Sequence, residues 1–377
     1  VQPIPPKTST QTTTPVWSDF KREQAFYAWL APLSREYSLV LESLHAASAD
    51  ASFRRYFRIQ SSGVVGSFVI MDAPPEKEDC AAFVRISDLM SRAGLLVPKV
   101  FHWHSSLGFM LLSDLGSQTL LENLGSSLDI EHSLFTPLTP PLQPFIQATD
   151  ALISWQMASQ ADLLPSYDEA LLMRELNLFP DWYLCKHLNL ELSAEQHNIL
   201  HTSFQTIVKN NLSAPQVFVH RDFMTRNLMV PRDPNEARLG VLDFQDAVLG
   251  PITYDIASLM RDAFCSWSEE FVLDVTVRYW ERIRKTGLID ANGWSTDFGE
   301  FWRCVEWMGL QRHLKVAGIF ARLTLRDKKT KYLTDTPRFI NYICATAKRY
   351  KELFPLLRLL DKLLGNSSKE IVTFGRI

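Results

Sequence analysis

The sequence predicts an α+β protein: a small antiparallel-sheet region followed by a larger, mainly helical one. Three observations carry that expectation. Between Leu39 and Gly116, short alternating or wholly apolar runs are bounded by turn formers, as strands are, with a single helical stretch among them. From Phe145 onward the apolar residues recur at helical spacing. Inside that helical region, residues 217–230 and 240–246 read as short apolar strands around polar turns.

At 377 residues the chain can bury a large core and divide into two or three domains. A formal charge of −3 supplies no basic field for nucleic acid and no polybasic membrane patch. Ten tryptophans point first to a well-filled core. Five cysteines, Cys80, Cys185, Cys265, Cys304 and Cys344, are odd in number and lack metal-ligand spacing, the pattern of reduced thiols in a cytoplasmic protein. No run is long and apolar enough to span a bilayer, no secretory signal is visible, and no obligate protein partner is evident.

Residues 1–17, rich in Thr, Gln and Pro, read as a disordered tail. Ser18 is expected to cap a helix through Phe26, Trp29 and Leu30. Strands are expected at 39–44, after the turn at Asp50, at 64–71, at 99–103 and at 109–113. A helix at 78–93, closed by Gly94, falls after the third strand. The proline-rich stretch 126–144 reads as a mobile insertion. Helices are expected at 145–160, 168–178, 193–211, 253–264, 269–286, 298–323 and 336–353.

The chemistry concentrates in Val217 to Val230. His220-Arg221-Asp222 is followed, after four residues, by Asn227, and a second strand ends in Asp243-Phe244-Gln245. This is the spacing of a kinase catalytic loop and of its metal-binding Asp-Phe pair. Phosphoryl transfer needs a carboxylate to orient the attacking hydroxyl and accept its proton, a role that suits Asp222. It also needs hard oxygen ligands for magnesium, which Asn227 and Asp243 supply. His220 reads as a structural residue beneath the loop. Asp246 has two readings, a magnesium contact or a turn former, and the turn is preferred. One element departs from the protein-kinase pattern: the third strand ends Val69-Ile70-Met71-Asp72, without the lysine that protein kinases place there.

With these residues in place the chain resembles the aminoglycoside phosphotransferase and choline kinase group, small-molecule relatives of protein kinases. Asp50-Ala-Ser-Phe-Arg-Arg, Met71-Asp-Ala-Pro-Pro-Glu and Leu112-Ser-Asp-Leu-Gly resemble one bacterial branch, the anomeric N-acetylmuramate/N-acetylglucosamine kinases of cell-wall recycling. The resemblance implies a bilobal protein-kinase-like fold, with residues 18–116 as a nucleotide-binding N-lobe. Residues 117–377 would form a helical C-lobe with the catalytic loop and the substrate site. It implies ATP as phosphoryl donor, Mg2+, and transfer to the anomeric hydroxyl of an amino sugar. Asp255 would brace the catalytic loop; a helix N-terminal carboxylate is an equally physical reading of it.

Nucleotide contacts are expected at Ser52, Arg54 and Arg55, where an ordinary hairpin with exposed arginines is the plain alternative. Leu112 and Asp114 lie where kinases pass the adenine. Substrate contacts are expected from Arg174, Glu175 and Trp182, and from Arg312, His313 and Lys315, against the general rule that a charged helix face is solvated. Another acceptor (an aminoglycoside, an amino alcohol or homoserine) and a nucleotide-binding regulator without turnover are the alternatives.

Overall fold

The computed structural model describes residues 15, 17, 19–49, 53–130, 133, 136–233 and 235–365. The turn at 50–52, with Ser52, and most of the N-terminal tail, with Ser18, lie outside the described residues. Two compact units form, one from residues 1–92 and 96–116, the other from residues 93–95 and 117–377.

The first unit opens with helix α1, Phe20–Glu36, whose cap is Asp19; its carboxylate accepts from the amides of Lys21 and Arg22. Five strands follow: β1 (Leu39–Ala49), β2 (Arg55–Ser61), β3 (Ser67–Asp72), β4 (Val100–His104) and β5 (Phe109–Ser113), with helix α2 (Cys80–Arg92) after the third. They form one antiparallel sheet in the order β1-β2-β3-β5-β4, the expected protein-kinase-like arrangement. Phe57, Ile70 and Leu111 stand in register across β2, β3 and β5. With Ile59, Phe68 and Phe109 they bury one face of the pleat against Phe26, Trp29, Leu30 and Leu33, the i, i+3, i+4, i+7 stripe of α1. Asp72 shares that face, and Arg22, from the first turn of α1, reaches its carboxylate at 2.5 and 2.8 Å.

The second unit contains α3 (Leu120–Gly125), α4 (Leu142–Met157), α5 (Glu169–Leu176), a π-helix at Phe179–His187, and α6 (Ala194–Leu212). Four short strands, β6 (Gln216–Val219), β7 (Leu228–Met229), β8 (Gly240–Val241) and β9 (Val248–Pro251), pair antiparallel as β6 with β9 and β7 with β8. Helices α7 (Thr253–Met260), α8 (Glu269–Ile283), α9 (Phe298–Leu325), α10 (Thr336–Arg349) and α11 (Phe354–Leu364) complete it. Within the stretch expected as an insertion, Leu138 exchanges backbone hydrogen bonds with Ser266 and Ser268, and α4 begins at Leu142.

Helix α9 is buried on all sides from Cys304 to Gly318, so it is the core of the unit and not a surface helix. Gly318 lets the chain entering the π-helix approach it: a Cβ there would lie 2.3 Å from the carbonyl carbon of Leu178. Gly318→Ala is therefore expected to destabilise the protein by about 1–3 kcal/mol, because the obstruction is backbone and cannot swing aside. A thermal melt indistinguishable from that of the parent would show that the two segments slide apart freely. Among the described residues, no helix is long and apolar enough to cross a membrane.

Candidate active site

Strand pairing positions the chemistry. β6 delivers the chain into the loop from His220 to Asn227, β7 carries it away, and β8 beside β7 ends just before Asp243. The loop is then locked by its own polar groups. The amide of Asp222 donates to Nδ1 of His220 at 3.2 Å, and Nε2 of the same ring lies 2.9 Å from the Leu242 carbonyl. Those two contacts require the tautomer protonated at Nε2. Burial holds His220 below its ordinary range, against the attraction of Asp255 and Asp222, and both ring nitrogens are spent on the loop's own backbone.

Asn227 closes the loop from the other side. Its Nδ2 donates to the carbonyl of Asp222 at 2.8 Å and reaches Oδ2 of Asp243 at 3.5 Å. Asp222, Asn227 and Asp243 are thereby gathered at one place. Asp243 has φ +64° and its Oδ1 accepts from Gln245 at 2.9 Å. Burial pushes the Asp222 carboxyl up, but the cations of Lys315 and Arg312, with Arg221, more than offset it and hold it below the usual carboxylate range.

Asp255, in the first turn of α7, accepts from the amides of His220 at 2.7 Å and Arg221 at 3.0 Å. Both readings of this residue coexist, since the same carboxylate lies at a helix N-terminus and holds the loop. Arg221 itself has φ +78°, a conformation that costs a non-glycine residue on the order of 1–2 kcal/mol and persists only where neighbours enforce it. The neighbours here are Asp255 on its amide and Arg312, which donates to its carbonyl at 2.8 Å. Asp246 is exposed in the turn closed by the Ala247 amide on the Phe244 carbonyl.

The substrate candidates separate. Arg312 and Lys315 lie one turn apart on α9 and face the catalytic loop; Lys315 pairs with Glu175 at 3.0 Å and reaches the Tyr254 hydroxyl at 3.2 Å. Glu175 also accepts from Arg221 at 2.5 Å and from the Tyr167 hydroxyl. His313 turns away from Arg312 by about 100° of helix. Its ring stacks on Tyr342 at 4.7 Å, and burial, with Arg261 and Arg312 nearby, pushes its pKa well below the ordinary value. Arg174 is exposed in the last turn of α5, and Trp182, half-buried on the π-helix, is covered by Lys186 at 3.6 Å from its ring centroid.

In the first unit Arg54 is paired with Glu78 at 2.8 Å, and Arg55 with Asp72 while lying 4.1 Å from the Trp17 ring centroid. The position that lacks the lysine therefore carries a buried carboxylate held by two arginines, Arg22 and Arg55. Leu112 is buried in β5. Asp114 accepts from Arg58 and Ser67, both at 2.8 Å.

Three contributors were not singled out from the sequence. Asp262 takes the amide and hydroxyl of Thr225 at 3.0 and 2.7 Å and fixes the short helical turn that carries Asn227. Tyr167 and Tyr254 supply hydroxyls to the Glu175–Lys315 pair. No local spacing marks any of the three.

A loop carrying Asp222 and Asn227, a second strand ending at Asp243, and a protein-kinase-like fold define the class as a phosphotransferase of the kinase type. The chain belongs to the phosphotransferase enzyme family, whose model matches residues 43–289. It is 45% identical over 325 residues to the N-acetylmuramate/N-acetylglucosamine kinase of Neisseria meningitidis serogroup B, covering 86% of this chain and 91% of that protein. The protein of the same name in Pseudomonas aeruginosa is 47% identical over 317 residues, 84% of this chain and 87% of that one. Solved structures share the fold at low identity. An ethanolamine kinase from Plasmodium vivax aligns with a TM-score of 0.57 at 11% identity, over 87% of this chain and 91% of that one. Choline kinase from Cryptosporidium parvum aligns at 0.55 and 10%, over 87% and 98%.

Proposed function

We propose that this chain transfers the γ-phosphoryl group of ATP to the anomeric hydroxyl of N-acetylmuramate or N-acetylglucosamine, in the recycling of cell-wall sugars. The observation that carries the chemistry is the convergence of Asp222, Asn227 and Asp243 at one place, with Asn227 Nδ2 2.8 Å from the Asp222 carbonyl and 3.5 Å from Asp243 Oδ2. The curated name shared by relatives 45% and 47% identical supports the acceptor.

Asp222 accepts the hydroxyl proton while the sugar oxygen bonds to phosphorus; the bridging P–O bond breaks and ADP departs. An anomeric hydroxyl is more acidic than an ordinary alcohol because the ring oxygen stabilises its alkoxide, so one carboxylate base suffices. The donor set fits magnesium: Asn227 spends its Nδ2 on the Asp222 carbonyl and the Asp243 carboxylate, which leaves its Oδ1 as one hard oxygen donor, and Asp243 supplies a charged one. Magnesium held there would neutralise phosphate charge. ATP as donor and five free thiols favour the cytoplasm.

The test is to incubate purified protein with magnesium and ATP against a panel of amino sugars, amino alcohols, homoserine and aminoglycosides, locating the product phosphate by phosphorus NMR. A 1-phosphate of either amino sugar is expected. A product on any other acceptor, or no product at all, would overturn the assignment.

A further inference from the structure

We propose that Glu175 is a positioning residue for the base, acting through Arg221, and not a contact to the sugar. The inference rests on Asp222 being the base. Glu175 is 5% exposed and its carboxylate is saturated from within: Arg221 at 2.5 Å and Lys315 at 3.0 Å on Oε1, the Tyr167 hydroxyl on Oε2. A sugar hydroxyl would have to compete with these three donors to reach it. Burial pushes its pKa up, but Lys315 and Arg221 more than offset this and keep it ionised.

The other end of the link is Arg221, the residue before the base. Its amide is held by Asp255 and its carbonyl by Arg312, and its guanidinium is held by Glu175. Arg221 is thus fixed at main chain and side chain together, in the left-handed region it would not choose alone. The direction in which the following carboxylate leaves the chain depends on that conformation. Lys315, which Glu175 also anchors, is one of the cations that lower the Asp222 carboxyl. One carboxylate therefore sets both the backbone that aims the base and the cation that faces it.

The test compares Glu175→Gln, Arg221→Met and the double variant with the parent, each with correct folding checked by circular dichroism. Glu175→Gln is expected to lower kcat by about 100-fold, the cost of a small misplacement of a reacting group. KM for the sugar should stay within about threefold, since only transition-state geometry is lost. The double variant should be no worse than the worse single one, because both break the same link. A raised sugar KM with kcat unchanged would make Glu175 a substrate contact and overturn the proposal, as would independent losses that multiply. Asp222→Asn, run alongside, separates the two ideas. If it stays active, the reading of the base fails; if it is dead while Glu175→Gln is fully active, only the positioning role fails.

Discussion

Asp222→Asn is expected to lower kcat by about 10²–10⁴-fold, the usual contribution of a positioned general base. Nucleotide affinity should remain within about threefold of the parent on the same reasoning, because the base acts only in the transition state. The substitution is clean for a structural reason. The hydrogen bonds that lock the loop use the Asp222 main chain, its amide on His220 and its carbonyl under Asn227, so changing the side chain spares the scaffold. Steady-state kinetics with either amino sugar, beside calorimetric titration of the magnesium nucleotide, would read both quantities. A rate within tenfold of the parent would remove Asp222 from the proton-accepting role.

Asp255→Ala is expected to cost both stability and activity. Its two carboxylate oxygens satisfy the amides of His220 and Arg221 in a fully buried place. Each orphaned buried amide costs about 1–3 kcal/mol, so the loss should be on the order of 2–6 kcal/mol and the melting temperature should drop by several degrees. Arg221 would also lose one of the contacts that keep it at φ +78°, so the surviving folded protein should turn over slowly as well. An unchanged melting temperature with full activity would show that solvent or a neighbour replaces the carboxylate.

Much of this arrangement was legible in the sequence because it is local. A strand, a polar turn and a strand within fourteen residues place Asp222 and Asn227 by chain geometry alone, and Asp243 follows on the next strand. The five-stranded sheet was equally readable from period-2 runs, although β1 extends to Ala49 and β3 starts at Ser67. Helix α3 was passed over even though Thr119 and Glu122 form a capping box, a pattern visible in the sequence. The π-helix was not legible: Phe179, Tyr183 and Leu184 fit the α-helical period, and only the Leu188 amide bonding back to Tyr183 reveals the wider turn.

The polar cluster expected to meet the substrate was the least legible part. Arg312, His313 and Lys315 form one polar interruption in the sequence, but helix geometry sends two toward the catalytic loop and one into an aromatic stack. Glu175 and Arg221 are 46 residues apart, and their pairing depends on how α5 packs, which no spacing rule encodes.

The arginine before Asp222 also bears on control. In protein kinases, phosphorylated residues of the activation loop make new pairs with arginines and so order the segment, which makes activity switchable by a second enzyme. Here Glu175 supplies the anion permanently, from a side chain only 6% exposed. No modifying enzyme is needed to add that charge, and none can readily reach it to take it away. On the proposed reading, the charge that braces the base is built in with the fold.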